Sequence, residues 1–288
     1  MIDYKKFVDN SREWLKDYIQ KNHLQSLVIG ISGGIDSTVS CAIASPVCKE
    51  LNIPLIGRSL ACYTNKCVEV DSAYMVGNAF CTDFKEISIE SMYAKIADEL
   101  ELNEGKLTPL QLGNIKARLR MMYLRHLASV HKGVVLDNDN FTEWNVGFWT
   151  VGGDSPMDIN LGLHYLWKTE VYELADYLSH EIAENSPKFE ALCESKKLIP
   201  TDGNGVSSSD CEQFGLDNYS QVDDVLKTMY YQKGSPMKSE KDEYIRLIDS
   251  YNEQGVDKVM MLHQNTKFKR QPSPIMPTPE ELEIKEYV

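Results

Sequence analysis

Along the first twenty-odd positions, apolar residues recur at helical spacing, with Phe7, Trp14, Leu15 and Ile19 on one side of an amphipathic helix. The periodicity then breaks into a short continuous apolar run, SLVIGI (Ser26 to Ile31), of strand length and rich in β-branched residues. A glycine-rich turn, SGGIDS, leads into TVSCAIASPV, small and apolar enough for a buried helix. Further strands are expected at IPLIGRSL (Ile53 to Leu60), FKEISI (Phe84 to Ile89) and GVVL (Gly133 to Leu136). Helical patterns fall at Val68 to Phe80, at Pro109 to Lys132 and over KTEVYELADYLSHEIAEN. Strands alternating with helices imply βαβ units, hence an α/β fold: a doubly wound parallel sheet with helices on both faces. The long Pro109–Lys132 helix carries a basic stripe, Lys116, Arg118, Arg120 and Arg125.

From about Ile199 the character changes. PTDGNGVSSSD is a Gly/Ser/Asp loop of the length usually kept for a functional segment. Two weakly periodic helical stretches follow, then a basic patch, KFKRQPSP, and an acidic end, PTPEELEIKEYV. The expectation is one domain over residues 1–275 with an acidic C-terminal tail over 276–288, and no internal repeat.

Composition narrows the function classes. The net charge of −13 opposes a nucleic-acid grip, which needs clustered Lys and Arg to displace counterions. It does not oppose a nucleotide, because backbone amides can cradle phosphate on an acidic protein. No apolar run reaches the ~20 residues that span a bilayer, and the charged N-terminus lacks a signal-peptide core, so a cytoplasmic protein is expected. The seven cysteines show no metal-ligand spacing and are expected to be reduced thiols.

The strongest chemical signal is GISGGIDS, Gly30 to Ser37, between a strand and a helix. Such a loop aims several N–H groups at one point, and the helix dipole adds positive potential. Gly33 and Gly34 permit positive φ and close approach of phosphate, while Ser32, Ser37 and Thr38 supply hydroxyls. There is no lysine of the GxxxxGK[ST] type. Asp36 lies inside the loop, where an acid among phosphates suits a divalent cation. The structural alternative is a plain turn with Ser32 as N-cap and Asp36 on the dipole.

The loop resembles the pyrophosphate loop of the N-type ATP pyrophosphatases, which split ATP to AMP and pyrophosphate while adenylating an acceptor. Four further segments, GNIKARLRMMYL, VVLDNDNFTEWNVGFWTVGGDSPMDIN, LWKTEVYELADYL and KFKRQPSP, resemble the ammonia-dependent NAD synthetases within that family. The resemblance runs from about residue 25 to about residue 275 and implies an adenine nucleotide alpha-hydrolase-like fold. It implies an ATP site of Gly30, Ile31, Ser32, Gly33, Gly34, Ile35, Asp36 and Ser37, with Asn138, Lys168 and Thr201. It further implies Asp36 and Glu143 as Mg²⁺ ligands, and Arg118, Asp158 and Lys269 as contacts to deamido-NAD, with Arg120 a neighbour.

The implied reaction amidates deamido-NAD with ammonia, giving NAD, AMP and pyrophosphate through an adenylated carboxylate, in a cytoplasmic homodimer. No room remains for a glutamine amidohydrolase domain, so the expected nitrogen source is free ammonia or ammonia from a separate partner. No acid, base or nucleophile is assigned to the protein. Departures touch both sides, Asn138 and Asn65 at the ATP and Val151 and Phe268 at the acceptor. Asp137-Asn138-Asp139-Asn140 replaces the usual GTxN, Val151 and Phe268 replace a lysine and a histidine, and Asn65 stands for a glutamine. They keep open a related ligase with another carboxylate or nucleotide acceptor; a non-catalytic nucleotide-binding protein is the third reading.

Overall fold

A computed structural model describes residues 2–231 and 240–270. In chain order, α1 (Tyr4–Lys21) precedes β1 (Ser26–Gly30), α2 (Ile35–Glu50), β2 (Leu55–Ala61), α3 (Cys67–Phe80) and β3 (Asp83–Ser88). Helices α4 (Glu90–Glu104) and α5 (Pro109–Val130) cross over to β4 (Gly133–Asp137), followed by the short α6 (Phe141–Val146) and β5 (Ile159–Asn160). The chain continues through α7 (Lys168–Glu181), α8 (Pro187–Lys197), α9 (Asp210–Phe214), α10 (Tyr219–Tyr231), α11 (Glu240–Ser250) and α12 (Glu253–Asn265). The acidic tail and the QPSP half of the basic patch lie outside the described residues.

All strands are parallel, in the order β3-β2-β1-β4-β5. The chain moves outward from β1 through β2 to β3, then returns to the other side of β1 with β4. This reversal opens a crevice at the carboxyl ends of β1 and β4, where ligands bind in doubly wound sheets. Period-two alternation divides the burial of β1: Leu27 and Ile29 join one apolar layer with α1, α2, α7 and α8, while Val28 joins another with α4 and α5. The doubly wound expectation therefore holds.

Several elements exceed the sequence expectations. Helix α4 buries only Tyr93 and Ala97, too thin a stripe to signal a helix, and α8 buries only Ala191, Leu192 and Ser195. Beyond the glycine-rich loop the chain forms α9 to α12 rather than two stretches. Phe214, Val222, Leu226 and Val256 form a third apolar cluster there, against Val146 of α6 and Trp167. This cluster clamps α6 and the start of α7, both of which carry site residues.

Candidate active site

The glycine-rich turn sits at the carboxyl end of β1, and its two glycines divide the work. Gly33 has φ +84°, and a Cβ there would fall 2.5 Å from the Glu69 carbonyl oxygen, so this glycine lets α3 pack tightly. Gly34 borders the cavity and is the N-cap of α2, with no side-chain cap; Ser32 is not the cap expected of a plain turn. Instead Ser32 Oγ accepts from Gly34 N at 3.2 Å and lies 3.1 Å from Ser37 Oγ. Above the turn opens a cavity of about 700 Å³, within the range of small-molecule sites.

At the end of the cavity beside this turn two loops converge. Asn140 caps α6 by accepting from Glu143 N at 3.0 Å, and its Nδ2 donates to Asp36 Oδ1 at 2.9 Å. Asn140 therefore ties the α6 turn to the glycine-rich turn. Lys168, the first residue of α7, lies with Nζ 2.5 Å from Asp36 Oδ2 and 2.9 Å from Glu143 Oε1. Its backbone N–H donates to Thr142 Oγ1 at 2.8 Å, and Thr142 in turn donates to Asp223 of α10. The two proposed metal carboxylates and the proposed phosphate lysine thus form one buried cluster.

Burial sets the electrostatics of this cluster. Burial pushes the Glu143 carboxyl up to about 7, with Lys168 opposing and Asp36 adding to the rise. Burial alone would lower Lys168, but Asp36 and Glu143 outweigh it and hold the ammonium well above its usual value. A third carboxylate, Asp210 of α9, lines the same cavity; burial lifts it to about 6 against the pull of Lys168. Tyr219 Oη donates to Asp210 Oδ2 at 2.8 Å, and the Tyr219 ring lies 5.0 Å from Lys168 Nζ. Sequence reasoning missed Asp210; its serine-rich surroundings resemble a solvated loop.

The basic stripe on α5 splits. Lys116 and Arg120, four residues apart, face inward. Lys116 Nζ donates to the Asn204 carbonyl at 2.8 Å, and Arg120 donates to Asn204 Oδ1 at 2.7 Å and to the Gly203 carbonyl at 3.3 Å. These two cations hold the 200–209 loop over the cavity, where Thr201 Oγ1 donates to Glu69 Oε1 at 2.6 Å. Asn65 joins this wall by accepting from Arg120 and donating to Glu69. Arg118 faces outward, donating to the Val151 carbonyl at 3.3 and 3.2 Å, and does not line the cavity.

Asp158 also lies outside the cavity lining. It accepts from Arg125 at 2.8 Å and from Val135 N at 2.8 Å, which pins the chain before β5 to β4. Lys269 does reach the cavity, its Nζ donating to the Gly147 carbonyl at 2.6 Å and to the Trp149 carbonyl. Asn138 lines the cavity, with Nδ2 donating to the Gly30 carbonyl at 3.4 Å and Oδ1 buried without a partner. Val151 and Phe268 are 51% and 56% exposed and do not line it. The cysteines are all free thiols. Among the described residues, no helix is long and apolar enough to cross a membrane.

Known proteins give this geometry a context. The sequence matches the family described as NAD synthase over residues 7–273. An NH(3)-dependent NAD(+) synthetase of Syntrophomonas wolfei is 32% identical over 74% of this chain and 80% of its own length. The Pyrococcus furiosus NH(3)-dependent NAD(+) synthetase is 29% identical over 94% of this chain and 95% of that one. In fold, the solved NMN synthetase of Francisella tularensis aligns with TM-score 0.73 and 24% identity, over 96% of this chain and 99% of that one. A family match across nearly the whole chain, joined to a parallel sheet with a glycine-rich turn at its crevice, places this protein in the NAD synthase family of ligases.

Proposed function

We propose that the chain joins ammonia to the carboxylate of deamido-NAD, consuming ATP and giving NAD, AMP and pyrophosphate. The observation that carries this reading is the meeting of Asp36, Glu143 and Lys168 beside the glycine-rich turn. The nicotinate carboxylate attacks the α-phosphorus of ATP and pyrophosphate leaves. Ammonia then attacks the resulting acyl adenylate, AMP leaves, and a proton is lost to form the amide. In this reading the backbone amides of the glycine-rich turn and Lys168 take the phosphates, so the protein contributes positioning and charge neutralisation rather than a nucleophile.

Asp36 and Glu143 suit Mg²⁺. They are hard oxygen donors on two separate loops, each capable of exchanging Lys168 for a cation when phosphate draws the lysine away. A magnesium ion bound there would offset phosphate charge during pyrophosphate departure. Glu143 must be ionised to serve, and its carboxyl is held near 7 in the nucleotide-free protein. Binding of magnesium–ATP is therefore expected to release nearly one proton from Glu143 at pH 6, about half a proton at pH 7 and almost none at pH 8.5. Calorimetry in buffers of differing ionisation enthalpy reads this; a release that Glu143→Gln leaves unchanged would remove Glu143 from the assignment.

Arg118, Asp158 and Val151 mark the acceptor side, outside the cavity. Met122 and Val130 on α5 are more than half exposed, 57% and 58%, which supports a homodimer that completes this side. A second reading places a mononucleotide acid there, the precursor acted on by an NMN synthetase. Val151 and Phe268 favour it, because an acceptor with one phosphate fewer needs fewer cations. The deciding assay supplies ATP, Mg²⁺ and ammonium with either acceptor and follows amide product, AMP and pyrophosphate together. Equal NAD, AMP and pyrophosphate support the dinucleotide; turnover confined to the mononucleotide transfers the assignment. Val151→Lys is expected to lower KM for deamido-NAD by up to about fivefold, the equivalent of the ~1 kcal/mol of an exposed charge pair. An unchanged or raised KM would mean that the dinucleotide does not pass this position.

A further inference from the structure

A second cluster of metal-ligating side chains lies beside the cavity, away from Asp36 and Glu143. Asp137 ends β4, Asp139 follows two residues later, and His164 belongs to the single turn Leu163–Tyr165 that precedes α7. One ligand atom from each lies within 4.8 Å of the others. His164 Nε2 is 3.5 Å from Asp137 Oδ1, and both His164 Nε2 and Asp139 Oδ2 are buried atoms without a hydrogen-bond partner. Asn138 Oδ1, between the two aspartates in sequence, is a buried oxygen acceptor without a donor, as is Asp139 Oδ2. Among the described residues, neither aspartate is ion-paired to a lysine or arginine. Two buried oxygen acceptors with no donor, beside an imidazole nitrogen with no hydrogen-bond partner, are costly unless a cation completes them.

We propose that Asp137, Asp139 and His164 bind a divalent first-row transition metal. Around such an ion, with bonds of about 2.1 Å, donor atoms sit roughly 3 to 4.2 Å apart, so the present spacing needs only small side-chain rotations. The first ligand is already oriented. Asp137 Oδ2 accepts from Met157 N at 2.9 Å and Oδ1 from Asp139 N at 2.8 Å, with Asn160 Nδ2 at 3.3 Å. Outer hydrogen bonds of this kind fix a ligand's direction. The Trp144 ring packs on the imidazole with centroids 4.8 Å apart, limiting its rotation. Imidazole with two carboxylates suits manganese, iron or zinc, whereas magnesium takes oxygen ligands. The ion would tie the end of β4, where Asn138 borders the cavity, to the turn leading into Lys168.

The test measures Mn²⁺ binding to the nucleotide-free protein by the loss of its free-ion electron paramagnetic resonance signal. Manganese is chosen because it ignores the exposed thiol of Cys67. About one ion per chain is expected in the wild type and in Asp36→Asn. His164→Gln and Asp139→Asn are each expected to weaken binding at least tenfold, with thermal melting confirming that both variants fold. No binding to folded wild-type protein would overturn the site. So would binding that His164→Gln leaves intact, or that Asp36→Asn alone removes.

Discussion

Asp36→Ala is expected to lower the rate of pyrophosphate release by about three orders of magnitude, ~4 kcal/mol of transition-state stabilisation, while the protein stays folded. The side chain holds no part of the apolar core. Its Oδ1 accepts from Asn140 and its Oδ2 from Lys168, and both partners keep a second contact when it is removed. Lys168 retains Glu143 at 2.9 Å, and Asn140 retains its cap on α6. What disappears is one of two carboxylates facing the phosphates. Asp36→Asn sharpens the test, because it preserves shape and the Asn140 contact geometry but not the charge. Single-turnover release of radiolabelled pyrophosphate, with circular dichroism as the folding control, reads the effect. Turnover of either variant at the wild-type rate would sink the magnesium assignment and leave Lys168 as the group that handles the phosphates.

The legible parts of this molecule are those whose cause is local. The run Ser26 to Ile31 followed by SGGIDS specifies strand, tight turn and helix start within a dozen residues, and the structure has them there. Long-range placement was not legible. Lys116 and Arg120 differ from Arg118 and Arg125 only by their angle about α5, and the angle means nothing until α5 is seated on the sheet. Lys269 reaches the Gly147 carbonyl from 122 positions away, which no spacing could announce. Asp158 accepts from Arg125 and from Val135 N, partners 33 and 23 positions away that its motif does not announce. The six-residue helix α6 escaped because one turn and a half carries no period, although its capping pair Asn140 and Glu143 is visible in hindsight. Gly33 also leaves room for α3 beside the turn, a role that cannot be read until the neighbouring helix is in place.

Lys168→Met is expected to cost about 3 to 5 kcal/mol of folding stability at pH 8 and distinctly less at pH 5.5. The methionine fills most of the lysine's volume, so the loss is electrostatic. Lys168 is 2% exposed and is the cation that pairs with both Asp36 and Glu143. Without it, Asp36 and Glu143, with Asp210 nearby, are left as desolvated carboxylates. Glu143 is held near 7 and Asp210 near 6 even with the lysine present, so both rise further once it is gone. A carboxyl whose folded value lies above its unfolded value favours the folded state at low pH and penalises it as pH rises through the folded value. The penalty is therefore complete at pH 8, where the unfolded chain ionises freely, and partly relieved at pH 5.5, where the buried groups are protonated. Urea unfolding of wild type and variant at both pH values measures the difference. Equal losses at the two pH values would mean that the lysine acts through packing against Tyr219 rather than through charge. A loss below about 1 kcal/mol at pH 8, the level of an exposed pair, would mean that water reaches the carboxylates and that the cluster is open before nucleotide arrives.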